Sequence, residues 1–258
     1  MTAPSTTAPS TTALLGSELL KLRTVRTPRY TLLGLLVFVS TIAGVAATAV
    51  PRAGVPGEGT AGELLRTVLG VAGGLFPAMV ALLLGALSAA GEYHHGTILG
   101  TYLVTPDRHR VLAAKLLVTS AVGAAVGLAC AVLALALAVP VAHTRALDTG
   151  LTDAGAWAGL IVTCTGVTAL GGALGVGLGV CFRQPVVAVV AVLAWMSFGE
   201  GLVSAVVPEA LVPFGAIRTA VTATSAVDVG IGAAALAVHA TVVVVLAAQV
   251  FTRKDVTV

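Results

Sequence analysis

The sequence predicts an all-α fold of the polytopic membrane class, and three observations carry that expectation. The chain has 258 residues, of which 57% are hydrophobic and 10% charged. A soluble domain carries roughly 25% charged residues, so a water-facing surface cannot be built from this inventory. Mean hydropathy is +1.03, and the apolar residues gather into six runs near the ~20 residues a helix needs to cross the hydrocarbon core.

Residues 1–13 open with MTAPSTTAPSTT, a low-complexity tail expected to be disordered. It does not read as a signal peptide. No basic residue precedes Lys21, and the apolar run that follows is long enough to span. The first span is therefore expected to be an uncleaved anchor. In the segment 14–29, Leu15, Leu19 and Leu22 share a helical face, with Glu18, Lys21 and Val25 beside it. This predicts an interfacial helix, an elbow, whose Arg23 and Arg26 reach lipid phosphates.

The first span is expected at about 31–50, stopped by Pro51 and Arg52. The second, about 67–90, contains Pro77 as an expected kink. Residues 91–110, GEYHHGTILGTYLVTPDRHR, then form a polar island between two bilayer-length runs, which must meet water or a partner. The third span is expected at about 111–139, ending at Pro140. The fourth, about 156–180, is followed by the short turn 181–184. Pro185, well placed for a first helical position, opens the fifth span, about 185–207. The sixth is about 229–250, and 253–258 form a C-terminal tail.

Orientation follows from the basic residues. With both termini inside, the cytoplasmic face carries Lys21, Arg23, Arg26, Arg29, Arg108, Arg110, Lys115, Arg183, Arg253 and Lys254. The outside keeps Arg52, Arg66, Arg145 and Arg218. The opposite orientation would invert that bias. Residues 200–228 are too apolar for a solvated loop, and Pro208, Pro213 and Gly215 interrupt them. They are expected to form short helices dipping into the outer leaflet as a re-entrant segment. Glycines recurring every fourth position (Gly171, Gly175, Gly179; Gly123, Gly127) mark close helix approach, within the chain or between copies.

Candidate chemistry is sparse. Lys21, Lys115 and Lys254 are preceded by Leu20, Ala114 and Arg253, so the Gly-Lys pair of a Walker phosphate loop is missing. Glu92, His94 and His95 lack metal-ligand spacing, and Cys130, Cys164 and Cys181 read as small buried hydrophobes. Glu200, near the outer boundary, is either a functional carboxylate or a cap for the next short helix. His239 is the titratable group within the sixth span, and either contacts cargo or hydrogen-bonds a neighbouring helix. No paired-carboxylate or Ser-His-Asp constellation points to an enzyme.

The order of the SELLKLRTVRTPRY elbow, two spans, GEYHHGTILGTYLVTPDRHRVLAAK and four further spans resembles ABC transporter permeases. Within them it is most similar to the ABC-two exporter class of compact actinobacterial type. The most specific match is Glu92, Gly96, Thr97, Ile98, Pro106, Arg108 and Lys115, against an E-x-x-x-G-T-I … P … R … K cytoplasmic motif. The resemblance implies a coupling helix at about 92–105 that docks on a separate ABC ATPase subunit, present in two copies. It also implies a second permease chain, identical or paralogous, and an outer gate including Glu200, Pro208 and Pro213. ATP and Mg would bind the partner ATPase, and this chain would bind no cofactor, metal or nucleic acid and have no active site of its own. Localisation is expected in the plasma membrane among lipids, with export of an amphipathic drug, antibiotic peptide or lipid. The alternative is an ion-coupled secondary transporter, which needs intramembrane charges that this chain lacks.

Overall fold

The structure, a computed structural model, describes residues 10–24, 26–49, 66–105, 107–145, 154–223 and 225–253. The expected tail over 1–9, Pro106, the connections 50–65 and 146–153, and residues 254–258 lie outside the described residues, as do the side chains of Arg23 and Arg26. The described residues are helical and contain no strand. Helix α1 is Thr11–Thr24 and α2 is Arg26–Ala49. Helix α3 spans Arg66–His94, α4 Thr97–Val104, α5 Arg108–Arg145 and α6 Ala154–Phe182. Helix α7 is Pro185–Ser204, α8 Pro213–Thr222 and α9 Ala226–Arg253.

Five of these, α3, α5, α6, α7 and α9, are long and apolar enough to cross a membrane. The protein is therefore a membrane protein with an all-helical fold. The apolar stretch of α2 is shorter, Tyr30–Val45. The expected first span, about 31–50, falls on it only in part, because residue 50 and those beyond lie outside the described set.

Several expected boundaries move. Helix α1 starts inside the expected tail, because Ser10 caps it. Its Oγ accepts the Ala13 N–H at 3.3 Å, and its carbonyl accepts that of Leu14, which satisfies donors a helix start leaves open. The third span ends at Pro140 as expected, although the helix itself, α5, runs on to Arg145. Pro77 lies inside α3, where a kink was expected, without breaking the helix. A π-helical turn over Val71–Leu75 lies just before it, the ladder widening where a proline supplies no N–H. A second π turn, Trp195–Gly199, interrupts α7, whose helix stops at Ser204, short of residue 207.

The glycine pattern organises the bundle around α6. A methyl at Gly171 would sit 2.7 Å from the Ala78 carbonyl oxygen, and those at Gly175 and Gly179 would collide with the carbonyls of Leu82 and Ala86. Two four-residue rows, one on α6 and one on α3, thus lie backbone against backbone, an approach that only small residues permit. On another side, Gly123 and Gly127 of α5 meet Thr168, and Gly177 meets Val243 of α9. The repeat is a contact within the chain. Helix α2 closes one flank, Leu35, Val39 and Ala43 packing on Cys130, Ala134 and Ala138 of α5. Phe38 meets Phe76 edge to face at 4.8 Å.

The helices define two ends. At one lie α1, the α3–α4–α5 junction, the turn between α6 and α7, and the last turns of α9. At the other, Arg66 Nη2 donates to the Ala223 carbonyl at 3.2 Å, closing the start of α3 onto the end of α8.

Candidate functional site at the α4 end

The expected coupling helix over 92–105 is two separate pieces. Glu92 and His94 finish α3, and His95–Gly96 form a turn before α4 begins at Thr97. Gly96 has φ +68°, a left-handed conformation in which a side chain is strained. Thr97 Oγ1 donates to the Glu92 carbonyl at 3.4 Å, and Thr105 N–H closes α4 on Thr101 at 2.8 Å. Asp107 then caps α5, its Oδ1 accepting the N–H groups of His109 at 3.1 Å and Arg110 at 3.3 Å. Sequence reading passed over that cap, although an Asp one residue before a helix start was its signal.

Helix α4 has two unlike faces. Ile98 is buried, beside a small apolar gap bounded by Ala89, Tyr93, Val111, Leu112, Lys115 and Val180. Leu103 and Val104 are 88% and 65% exposed, with Leu99 on the same side. Arg108 stacks its guanidinium over the Tyr102 ring at 5.4 Å. His94 and His95 are exposed, their rings 5.1 Å apart.

Glu92 is turned inward, where it joins three other charged groups, the four coming from three helices. Lys115 Nζ of α5 donates to Glu18 Oε2 of α1 at 2.7 Å and to Glu92 Oε1 of α3 at 3.0 Å. Lys21 Nζ donates to Glu18 Oε1 at 2.5 Å and to the same Glu92 oxygen at 2.9 Å. Two carboxylates and two ammonium groups balance, as burial of charge requires. Burial pushes the Glu18 carboxyl up, but the Lys115 ammonium, with Lys21, outweighs it and leaves the pKa below the ordinary 4.5. Burial likewise pulls Lys21 down, and bonds to Glu18 and Glu92 more than compensate, so its pKa rises above 10.5. Glu18 and Lys21, expected beside the leucine face of an interfacial elbow helix, seat α1 on the bundle through these bonds. Lys115, read from sequence as a cytoplasmic basic residue and part of a motif, is the group that joins all three helices.

Beside this cluster, an apolar cavity of about 800 Å³ opens between α1, α2, α3 and α5, lined among others by Leu15, Leu19, Leu32, Leu84, Leu117 and Val122.

The remaining expected residues lie elsewhere. The Glu200 carboxylate is buried and accepts the Gly215 N–H, so it caps the first turn of α8, one of the two roles its position allowed. Pro208 precedes a single 3₁₀ turn, Glu209–Leu211, accepting Leu211 N–H at 2.9 Å. Pro213 begins α8, whose Phe214, Ala216, Ile217, Ala220 and Val221 are buried. His239 is half-buried and donates from Nδ1 to Ala235 of its own helix at 2.8 Å, rather than to a neighbouring one. Among the described residues no group of three or more His, Cys, Asp or Glu is placed to hold a metal ion.

No protein-family model matches the chain, and neither does any curated protein.

Proposed function

We propose that this chain is the membrane-spanning subunit of an ATP-driven ABC exporter, and that α4 is the element it presents to a separate ATPase. The observation that carries the reading is the build of α4. It is a short helix anchored by one buried residue, with Leu103 and Val104 left outside and a balanced charge cluster directly beneath it. An exposed apolar tip on a fixed base is suited to filling a cleft on a partner. Glu92 serves as a positioning residue in this scheme, holding the base, while Gly96 and Thr97 set the turn and Ile98 the anchor. The partner ATPase, in two copies, would bind ATP and Mg.

On this reading α2 completes a set of six spans, α1 is the elbow helix, and residues 200–228 with α8 form the re-entrant outer hairpin. Both termini lie in the cytoplasm and the membrane is the plasma membrane, in keeping with the basic residues gathered at the α4 end. A second permease chain, identical or paralogous, completes the pathway. The apolar cavity beside α1 favours an amphipathic cargo (a drug, an antibiotic peptide or a lipid) over a sugar.

The test is ATP hydrolysis in the complex purified from native membranes in mild detergent through a tag on this chain. The wild-type preparation should turn over ATP, and L103D/V104D should lose at least tenfold of that activity while retaining its helical circular dichroism. A wild-type preparation without ATP turnover, or a double variant with full turnover, overturns the proposal.

A further inference from the structure

The turn between α6 and α7 brings a further basic residue to the α4 end, outside the charge cluster. Arg183 occupies the two-residue turn between α6 and α7 with φ +57°, and among the described residues it is the non-glycine residue with positive φ. Such a conformation persists only where the surroundings over-determine it, and here they do. Its guanidinium lies over the Tyr93 ring of α3 at 5.0 Å, while Nη2 donates to the Val250 carbonyl of α9 at 3.3 Å. The Tyr93 phenol in turn faces that of Tyr102 on α4. Both rings pack on one apolar cluster that includes Val176 and Val180 of α6 and Ala247 of α9. Gln184, the next residue, accepts the Ala188 N–H that starts α7.

From this arrangement we infer that Arg183 is a positioning residue that couples α4 to the adjoining ends of α7 and α9, through Tyr93 and Tyr102 on one side and Val250 on the other. Motion of α4 reaches the ring pair first, then the guanidinium, then both the turn that launches α7 and the last turns of α9. The stack transmits position because a planar guanidinium lies flat on an aromatic face while its edge donates to a carbonyl, a fixed geometry that a point-charge ammonium on a flexible stem does not impose. The Arg108 cation on Tyr102 secures the α4 end of the path. The inference draws on the proposed function only for what drives α4; the coupling itself needs no ATPase.

The experiment is a double-mutant cycle read by electron–electron double resonance. Nitroxides are placed at Val186 and Leu246, both well exposed, in the C181A chain in lipid nanodiscs; Cys130 and Cys164 are buried. R183G suits the left-handed backbone and removes only the side chain, so it should at least double the width of the α7–α9 distance distribution. R183K should fall between. Y102L, on α4 and away from both labels, should broaden the distribution by half or more when Arg183 is present and add nothing in R183G. An unchanged width in R183G, or additive broadening in the double variant, overturns the coupling. Failure to recover an ATPase would sink the proposed function and leave these widths as they are.

Discussion

Replacing Lys115 with Met keeps the side-chain volume and removes the cation that α1, α3 and α5 share. Glu18 and Glu92 are then left with Lys21 alone, whose ammonium side is 41% exposed. Breaking a buried pair in this way costs about 3–5 kcal/mol, but the protein has an escape: one carboxylate takes up a proton. For a carboxyl of ordinary pKa 4.5, pH 7 lies 2.5 units higher, and at ~1.36 kcal/mol per unit protonation costs about 3.4 kcal/mol. That figure caps the loss. Glu18 and Lys21 tie α1 to the bundle at this cluster, so the loss should appear as local opening of α1 rather than global unfolding. Amides over Leu14–Leu22 in nanodiscs should exchange about 300-fold faster in K115M than in wild type at pH 7. At pH 5 protonation costs about 0.7 kcal/mol, and the ratio to wild type at that pH should shrink to about threefold. The double variant K115M/E18Q leaves the neutral Lys21–Glu92 pair and should recover most of the protection. If K115M exchanges like wild type at pH 7, or if its defect is the same at both pH values, the cluster does not hold α1.

In the wild type, the depressed Glu18 pKa means its stabilising contribution is present above the unfolded value of 4.5 and fades as pH falls through the folded value. The raised Lys21 pKa puts that residue's contribution below 10.5, lost as pH rises through its folded value. Protection of α1 should therefore be flat from about pH 5 to 10 and fall on both sides, as exchange at matched intrinsic rates would show. G175A would push a methyl into the Leu82 carbonyl and should cost about 1–3 kcal/mol by overpacking, whereas G159A meets open space and should be neutral; thermal melts in detergent separate the two. E200A should lose about 1 kcal/mol of cap energy and speed exchange in α8, while E200Q retains an acceptor oxygen and should restore it. Equal defects in E200A and E200Q would assign the role to charge instead of capping.

Much of the fold was legible because apolar run length and glycine spacing are local features of the chain. Gly171, Gly175 and Gly179 announced a close helix contact, but only the register of Ala78, Leu82 and Ala86 shows that it lies inside the chain. Pro140 marks the end of the apolar span but not of the helix, because in a long apolar helix the loss of one backbone bond does not force an end. Part of the α4-end cluster could not be read from sequence at all. Glu18 and Lys115 are separated by 97 positions, and nothing local tells an interfacial lysine from one whose partner comes from another helix. Glu92 stood out in the sequence as a carboxylate in the polar island, yet its direction, inward rather than outward, depends on where α1 lies. Arg183 looked like an ordinary basic loop residue supporting the orientation, and neither its φ nor its two partners has a signature in sequence.

The distribution of close contacts bears on which helices are free to respond to a push on α4. Along the rows that join α3, α5 and α6, backbone meets backbone at glycine, so relative displacement there forces atoms together at once, and close-packed interiors transmit strain instead of absorbing it. Helices α7 and α9 are covered far less by the rest of the chain. Their outer faces carry large apolar side chains such as Val186, Phe198, Leu202 and Val238, suited to lipid or to another apolar surface. Helix α7 also contains a π turn at Trp195–Gly199, a defect that tolerates local change in helix geometry. A force arriving through Tyr102, Tyr93 and Arg183 therefore meets a rigid three-helix block on one side and, on the other, α9, itself held to α6 where Gly177 meets Val243, and α7, which carries the π turn. Of the two, α7 has the more room to give.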